Sequence, residues 1–292
     1  MFPILLYNNV MREIIFKIDD KNSGLMIRDF LRNFGVSSAL LTKLKQDENG
    51  IKLNGKFAKA IEVLKSGDNL TINIKNSGKM PEKFECENVK VAYNDEDILV
   101  LNKPPLMPVH ESRNHRGDTL ANVAACYMES DCAFRAVYRL DRDTSGLVLI
   151  AKNELAASKL AGKIKKDYYA VVSGKFEGRG TIDLPIRRVQ ESIIERGVFD
   201  DGERAITHYE AIKTDGENTL LKLSLETGRT HQIRVHFSHL GAPLLGDTLY
   251  GGNCEKINRQ ALHCKTIYFT PPITHEKITV DSDFPKDFKG LI

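Results

Sequence analysis

The 292-residue chain is expected to be α+β: a largely antiparallel mixed sheet with a loop-lined central cleft, preceded by a small α+β unit. Three observations carry that expectation. From residue 90 onward, short runs rich in Val, Leu, Ile, Thr and Tyr alternate with Gly, Asp, Asn or charge clusters, the mark of strands and turns. Apolar residues recur at helical spacing in only a few places. Residues 76 to 85, NSGKMPEKFE, gather Gly, Pro, Ser and charge between two patterned regions, which puts a domain boundary between 1–80 and 81–292.

Before the boundary, GLMIRDFLRNFG carries Leu25, Ile27, Phe30, Leu31 and Phe34 as a helical stripe that Gly35 can end. Ser37 or Ser38 can cap a second helix, SALLTKLKQ, which projects Lys43 and Lys45. IKLNGK then gives a strand and a turn at Asn54-Gly55, and GDNLTINI a closing strand. Two short basic helices, a strand, an N-G-K turn and a late G-D before a strand resemble the S-four-like RNA-binding module over residues 22 to 75. On that resemblance Arg28, Arg32, Lys43, Lys45 and Lys56 are candidate phosphate contacts, which position RNA without reading its sequence. The alternative for each is a solvated helical face.

After the boundary, VKVAYNDEDILVLNKPP gives two strands around an Asn-Asp-Glu-Asp turn, ended by Pro104-Pro105. GDTLANVAACYM predicts a helix capped by Asp118. SGLVLIAK, DYYAVVSGKF, AITHYEAIK and NTLLKLSLE predict strands, interrupted by two helices. One is ELAASKLAGK. The other follows Gly228 and starts at Thr230, with Ile233, Phe237 and Leu240 as its core face.

Composition bounds the class. With 41% apolar and 28% charged residues, the chain reads as an ordinary globular protein rather than a disordered one. Its net charge of +3 is uninformative, but residues 1 to 80 hold 13 Lys/Arg against 8 Asp/Glu, and the remainder 29 against 31. The basic front suits an RNA-binding appendage on a neutral body. Cys86, Cys126, Cys132, Cys254 and Cys264 include no C-x-x-C pair, so buried free thiols are expected instead of disulfides or a zinc knuckle. No apolar stretch reaches the roughly 20 residues that span a bilayer. Met1 to Val10 lacks a basic start or small-residue cleavage site, and a cytoplasmic protein is expected.

The densest chemical signal is VYRLDRDTSGLVLIAK, residues 137 to 152. Asp141 and Asp143 precede a strand and are flanked by Arg139 and Arg142, whose guanidinium groups can hold a carboxylate ionised for nucleophilic or base chemistry. A surface turn stapled by salt bridges is the alternative. A second cluster packs Arg229, His231, Gln232, Arg234, His236 and His239 around a helix start, where His231 and Arg234, three apart, share a face. His231, His236 and Asp247 do not make a convincing metal set, because i, i+5 spacing does not converge on one ion. In KKDYYAVVSG the adjacent tyrosines point to opposite faces of a strand.

Together these segments resemble the RluA-type pseudouridine synthases, whose motifs are H-R-L-D-x-x-T-S-G, K-x-Y-x-A-x-V-x-G and T-G-R-T-H-Q-I-R-V-H. Here they read Y-R-L-D-R-D-T-S-G (138–146), K-D-Y-Y-A-V-V-S-G (166–174) and T-G-R-T-H-Q-I-R-V-H (227–236), in that order. L-N-K-P-P-L-M-P-V-H (101–110), G-A-P-L-L-G-D-T-L-Y-G-G (241–252) and A-L-H-C (261–264) extend the resemblance across residues 90 to 275. It implies a pseudouridine-synthase fold and an isomerase acting on uridine in RNA without a cofactor or metal. It implies catalytic Asp141, a base-stacking Tyr168 and an Arg234 that pairs with the aspartate. Arg139, Arg229 and His231 join the candidate RNA contacts. Ribosomal RNA of the large subunit is the first expected target and tRNA the second, for a chain expected to be monomeric and away from membranes. Tyr138 departs from the family's histidine and is expected to alter local packing rather than activity. The competing classes are an RNA-docking module that lacks catalysis and a metal-dependent hydrolase.

Overall fold

The computed structural model describes residues 11–76, 78–128, 132–190, 192, 194–274 and 276–291. The reading of Met1 to Val10 as free of a targeting signal lies outside the described residues.

The first sheet has four strands. β1 (Met11–Lys17) is followed by α1 (Ile27–Phe34), α2 (Ser38–Gln46), β2 (Ile51–Leu53), β3 (Lys56–Phe57) and β4 (Asn69–Lys75), in spatial order β1-β4-β2-β3. Local chemistry accounts for the shape. Gly35 closes α1 at φ 106°, a left-handed conformation that costs glycine no Cβ clash, and its N–H donates back to Leu31 and Arg32. The Ser37 side chain accepts from the Leu40 N–H and so caps α2. Asn54 and Gly55, at φ 50° and 80°, make the tight turn that joins β2 to β3. Ile27, Leu31, Leu40, Leu41, Leu44, Ile51, Leu70, Ile72 and Ile74 fill the core beneath. β1 was not anticipated from sequence; it pairs antiparallel with β4 from Met11↔Lys75 to Lys17↔Asn69 and fills the sheet's edge.

No strand or helix lies between Lys75 and Lys90 among the described residues. The chain then builds β5 (Lys90–Asn94), β6 (Ile98–Lys103), α3 (Leu120–Ala124), β7 (Ser145–Ala151), α4 (Glu154–Leu160), β8 (Lys165–Ser173), β9 (Arg179–Asp183), β10 (Ile186–Arg188) and β11 (Arg196–Val198). It ends with β12 (Ile206–Thr214), β13 (Asn218–Leu225), α5 (Gln232–His239), β14 (Leu262–Phe269) and β15 (Ile278–Asp281). Nine of these strands form one sheet, β5-β6-β7-β14-β8-β13-β12-β9, with β15 beside β14. Every pairing is antiparallel except β7 with β14, so the expected largely antiparallel mixed sheet is what forms. β10 and β11 stand apart as a two-stranded hairpin.

Four local expectations change. α3 is capped by Thr119 and Asn122 in a reciprocal box, not by Asp118, which pairs with His115 instead. α5 starts at Gln232 rather than Thr230, because His231 sits at φ 59° and cannot continue a right-handed helix. Leu240 is 48% exposed beyond that helix; of the predicted face Ile233 and Phe237 are buried, and Val235 is buried as well. Of the five free cysteines, Cys132 and Cys264 are buried; the other three are half-buried, since the loops around them offer less cover. No helix of the described residues is long and apolar enough to cross a membrane.

Two ion-pair clusters seat the first sheet against the second body. Arg12 of β1 reaches Asp97 through Nε (3.0 Å) and Nη2 (3.2 Å), and Asp97 also accepts from Asn153 at the start of α4. Lys43 of α2 pairs with Glu154, and Leu155 inserts into the core of the first sheet.

Candidate active site

The three sequence motifs meet where β7, β14 and β8 lie side by side. Residues 138 to 144 form the loop entering β7, closed by the Thr144 N–H donating to the Asp141 carbonyl at 3.1 Å. Gly146 then runs against β14 so closely that a Cβ there would lie 2.2 Å from the Cys264 carbonyl oxygen. Its φ of 117° adds a second demand for glycine. Lys103 at the end of β6 is fully buried, and its Nζ donates to the carbonyls of Pro104, Met107 and Arg142 at 2.8–2.9 Å, tying the Asp141 loop to the β6 exit. Burial pushes this ammonium down to about 7, against the pull of Asp143 and Asp141. Arg259 supports the same loop from behind by donating to the Asp143 carbonyl at 3.1 Å.

Asp141 keeps a partly open carboxylate, and its charge partner comes from α5. Arg234 Nη1 donates to Asp141 Oδ2 at 3.1 Å, while Nε and Nη2 of the same guanidinium grip both oxygens of Asp247 at 2.7 and 2.8 Å. Burial alone would lower the Arg234 pKa, but the hydrogen bonds and charges of Asp247 and Asp141 outweigh it and raise it. The arginine is a fixed cation, bridging one sealed carboxylate and one accessible one. The flanking guanidiniums do not do this, contrary to the sequence reading: Arg142 turns outward onto Asp143 at 2.7 Å, and Arg139 is exposed.

His231 and Tyr250 complete the wall. His231 Nδ1 lies 2.8 Å from the Tyr250 hydroxyl and Nε2 lies 3.8 Å from Asp141 Oδ2. Burial lowers the His231 pKa despite Asp141, with Arg234 adding to the effect, so the imidazole is neutral at neutral pH. His231 thus lies beside Asp141, with its side chain 12% exposed, and stays among the candidate RNA contacts. Its left-handed backbone is the kind of strain that packed surroundings sustain at functional sites.

Tyr168 is 6% exposed on β8, opposite Cys264 of β14. Burial holds its phenol protonated far above the usual range, with Cys264 and Asp141 adding to the effect. Tyr169 points the other way, as alternation requires, and packs edge-on against Phe284. Tyr138 stands where a histidine was expected; its hydroxyl donates to the Leu147 carbonyl at 2.9 Å and Lys166 Nζ caps its ring at 4.4 Å. The Cys264 thiol between the two tyrosines is pushed up to about 12 by burial.

The remaining expected contacts scatter. Arg28, Arg32, Lys45 and Lys56 are exposed on the first unit, and Lys43 is engaged by Glu154. Arg229 is exposed and pairs with Glu203. His236 turns away from Asp247, bonding Thr207 Oγ1 and the Leu184 carbonyl at 2.9 Å each, so these residues do not surround one point. Asp247, Tyr250, Lys103 and Arg259 were not singled out as site residues. Lys103, Asp247 and Tyr250 fall in the family-like stretches 101–110 and 241–252, Asp247 also in the rejected metal set, and Arg259 carried no signal.

A carboxylate bridged to a buried arginine, facing a buried tyrosine across the centre of a mixed sheet, defines an RNA-modifying isomerase of the pseudouridine synthase class. The family model described as RNA pseudouridylate synthase matches residues 97–239. The chain is 39% identical to the uncharacterized RNA pseudouridine synthase YjbO of Bacillus subtilis (strain 168), over 92% of this chain and 98% of that protein. It is 34% identical to the ribosomal large subunit pseudouridine synthase D of Pseudomonas aeruginosa, over 83% of this chain and 82% of that one. Among solved structures, human RNA pseudouridylate synthase domain containing 1 superposes with a TM-score of 0.56 at 26% identity, covering 70% of this chain and 86% of that one. The chain belongs to the RluA-type RNA pseudouridine synthases, enzymes that isomerise uridine to pseudouridine in RNA.

Proposed function

We propose that this enzyme isomerises specific uridines of large-subunit ribosomal RNA, with Asp141 as the catalytic carboxylate, Tyr168 as the surface on which the detached uracil stacks and Arg234 as the partner of Asp141. The observation that carries the site is the Arg234 bridge: one guanidinium, locked by sealed Asp247, presents its last free edge to accessible Asp141.

The reaction breaks the bond from ribose to ring nitrogen, turns the uracil over and rejoins it through ring carbon five. No outside atom enters. A carboxylate beside the sugar serves either by attacking carbon or by removing the ribose 2′-proton, and Asp141 suits both. Extruding the uridine from its stack costs a few kcal/mol, and stacking on an aromatic ring returns about 1–3 kcal/mol per base. The Tyr168 phenol, whose pKa burial raises well above the usual range, offers a stacking surface and a hydrogen-bond donor, and its oxygen is the candidate group for taking the proton from carbon five once the new bond forms.

Residues 1–80 are the S-four-like RNA-binding unit in this reading, and residues 81–292 the catalytic domain. Arg28, Arg32, Lys45 and Lys56 remain exposed to meet phosphates. The relatives named for the ribosomal large subunit support rRNA ahead of tRNA as the target; a cytoplasmic, monomeric enzyme is part of the same reading.

Carbodiimide labelling and reverse-transcription stops across total RNA, in wild-type, gene-deleted and Asp141→Asn cells, test the reading. Stops in large-subunit RNA are expected to vanish in both mutants. Loss confined to tRNA reassigns the target, and a full set of marks in Asp141→Asn cells removes the catalytic assignment.

A further inference from the structure

Beside Asp141, the β10–β11 hairpin, which no sequence motif covers, and the start of the 227–236 motif before α5 enclose a depression of about 340 Å³. Arg187, Arg188, Arg196 and Arg229 line it, against a single carboxylate, Glu203. The walls are ordered from beneath: Ile186, Ala205, Val235 and Tyr250 form a small buried cluster that pins the hairpin onto α5, the helix that carries Arg234.

The guanidinium groups are arranged rather than merely exposed. Arg187 is held by Asp201 at 2.6 Å and lies over the Phe199 ring at 3.7 Å. Arg196 Nη1 donates to the Ile194 and Glu195 carbonyls, and no carboxylate pairs with this side chain among the described residues. Arg188 makes no side-chain hydrogen bond among the described residues, and its backbone carbonyl accepts from Arg187. Arg187 and Arg229 are already paired to Asp201 and Glu203, so the forks of Arg188 and Arg196 are the ones whose planar geometry suits the bidentate grip of phosphate oxygens better than lysines would.

The depression borders the active site. Arg229 and Thr230 line it, and the next residue is His231, whose Nε2 faces Asp141. From the other side the Arg196 N–H donates to the Tyr250 hydroxyl at 3.0 Å, the same hydroxyl that meets His231 Nδ1.

We infer that this arginine-lined depression is a subsite for the phosphodiester backbone of the RNA strand immediately flanking the flipped uridine, with Arg188 and Arg196 as its principal anion ligands. The inference rests on the synthase reading and deepens it. A nucleotide turned out of a folded RNA drags its neighbouring phosphates toward the mouth of the pocket. Guanidiniums fixed there hold the strand open with no need to read a base.

The test uses the full chain and, as probe, large-subunit rRNA from cells lacking the gene. Filter binding over a series of KCl concentrations is run for the wild type, Arg188→Gln, Arg188→Gln/Arg196→Gln and the exposed-site control Lys90→Gln. Pseudouridine formation is followed in parallel. Each lost phosphate contact is expected to flatten the slope of log affinity against log salt by about 0.7 and weaken binding roughly tenfold. The double variant therefore loses about 1.4 of slope, raises KM and leaves kcat at saturating RNA in place, while Lys90→Gln matches wild type. Unchanged slopes in both arginine variants overturn the subsite even when the wild type makes pseudouridine. Equal flattening by Lys90→Gln overturns it as well, by reducing the effect to bulk charge. Absence of pseudouridine with wild type is a separate readout, which sinks the synthase reading whatever the slopes show.

Discussion

Replacing Asp247 by Asn removes the charge behind Arg234 while keeping its shape. In the native site the Asp247 side chain is 1% exposed and takes both Nε and Nη2 of the guanidinium, at 2.7 and 2.8 Å. Asparagine keeps one acceptor oxygen and sets an NH2 donor against the second guanidinium donor. Removing one partner of a buried pair costs about 3–5 kcal/mol, and the surviving hydrogen bond places this substitution near the lower end. Because total stability is about 5–15 kcal/mol, the protein still folds; with a slope of about 3 kcal/mol per M urea the midpoint falls by about 1 M. The guanidinium, no longer held from behind, also loses its aim at Asp141. A misplaced catalytic partner lowers kcat/KM roughly 10- to 100-fold, about 1.4–2.8 kcal/mol of transition-state stabilisation. Urea unfolding followed by circular dichroism reads the first effect, and tritium release from RNA labelled at uracil carbon five reads the second. An unchanged midpoint with unchanged tritium release would refute the idea that Asp247 holds the arginine in place.

Two further substitutions probe the loop that carries Asp141. Gly146→Ala places a Cβ against the Cys264 backbone at a φ of 117°, and thermal unfolding should show a loss of at least about 3 kcal/mol; a shift of less than a degree would mean that β7 and β14 are not in close contact. Lys103 titrates near 7 in the folded chain, below its unfolded value, so the unfolded chain holds the extra proton between pH 7 and 10. Unfolding free energy therefore rises with pH through that window by up to about 1.4 kcal/mol per unit from this group, and Lys103→Met, which cannot titrate, should lack that rise; parallel wild-type and variant curves in urea titrations at pH 7, 8 and 9 would contradict it.

What could be read from the sequence was what short-range chemistry decides. Gly35 after a helical stripe, Ser37 before a helix and Asn54-Gly55 between strands each act within four residues, and all three do in the fold what their types suggested. The resemblance of three ordered motifs to the RluA-type synthases brought Asp141, Tyr168 and Arg234 into one account. The partner of Asp141 was misjudged only where adjacency in sequence was taken for adjacency in space: Arg142 is next to it in the chain and points away, while Arg234, 93 residues on, makes the bond. β14 escaped for a different reason. Buried on both faces for most of its length, it shows none of the alternation that marks a half-exposed strand. Asp247 was noticed as a doubtful metal ligand, because a lone aspartate near histidines does not reveal that its charge is spent on an arginine.

The seating of the first sheet on the second, through Arg12 on Asp97, Lys43 on Glu154 and Leu155 in the opposite core, makes the molecule a calliper with a fixed gap. One jaw is the outer surface of α1 and α2, the other the mouth above Asp141, and α4 is the rivet that both jaws share. On the proposed assignment of the first unit to RNA binding, an RNA held there presents only those uridines whose distance from the grip matches the gap. Selection by reach needs no base-specific contact, and loosening the rivet would blur which uridine is chosen before it slowed the chemistry.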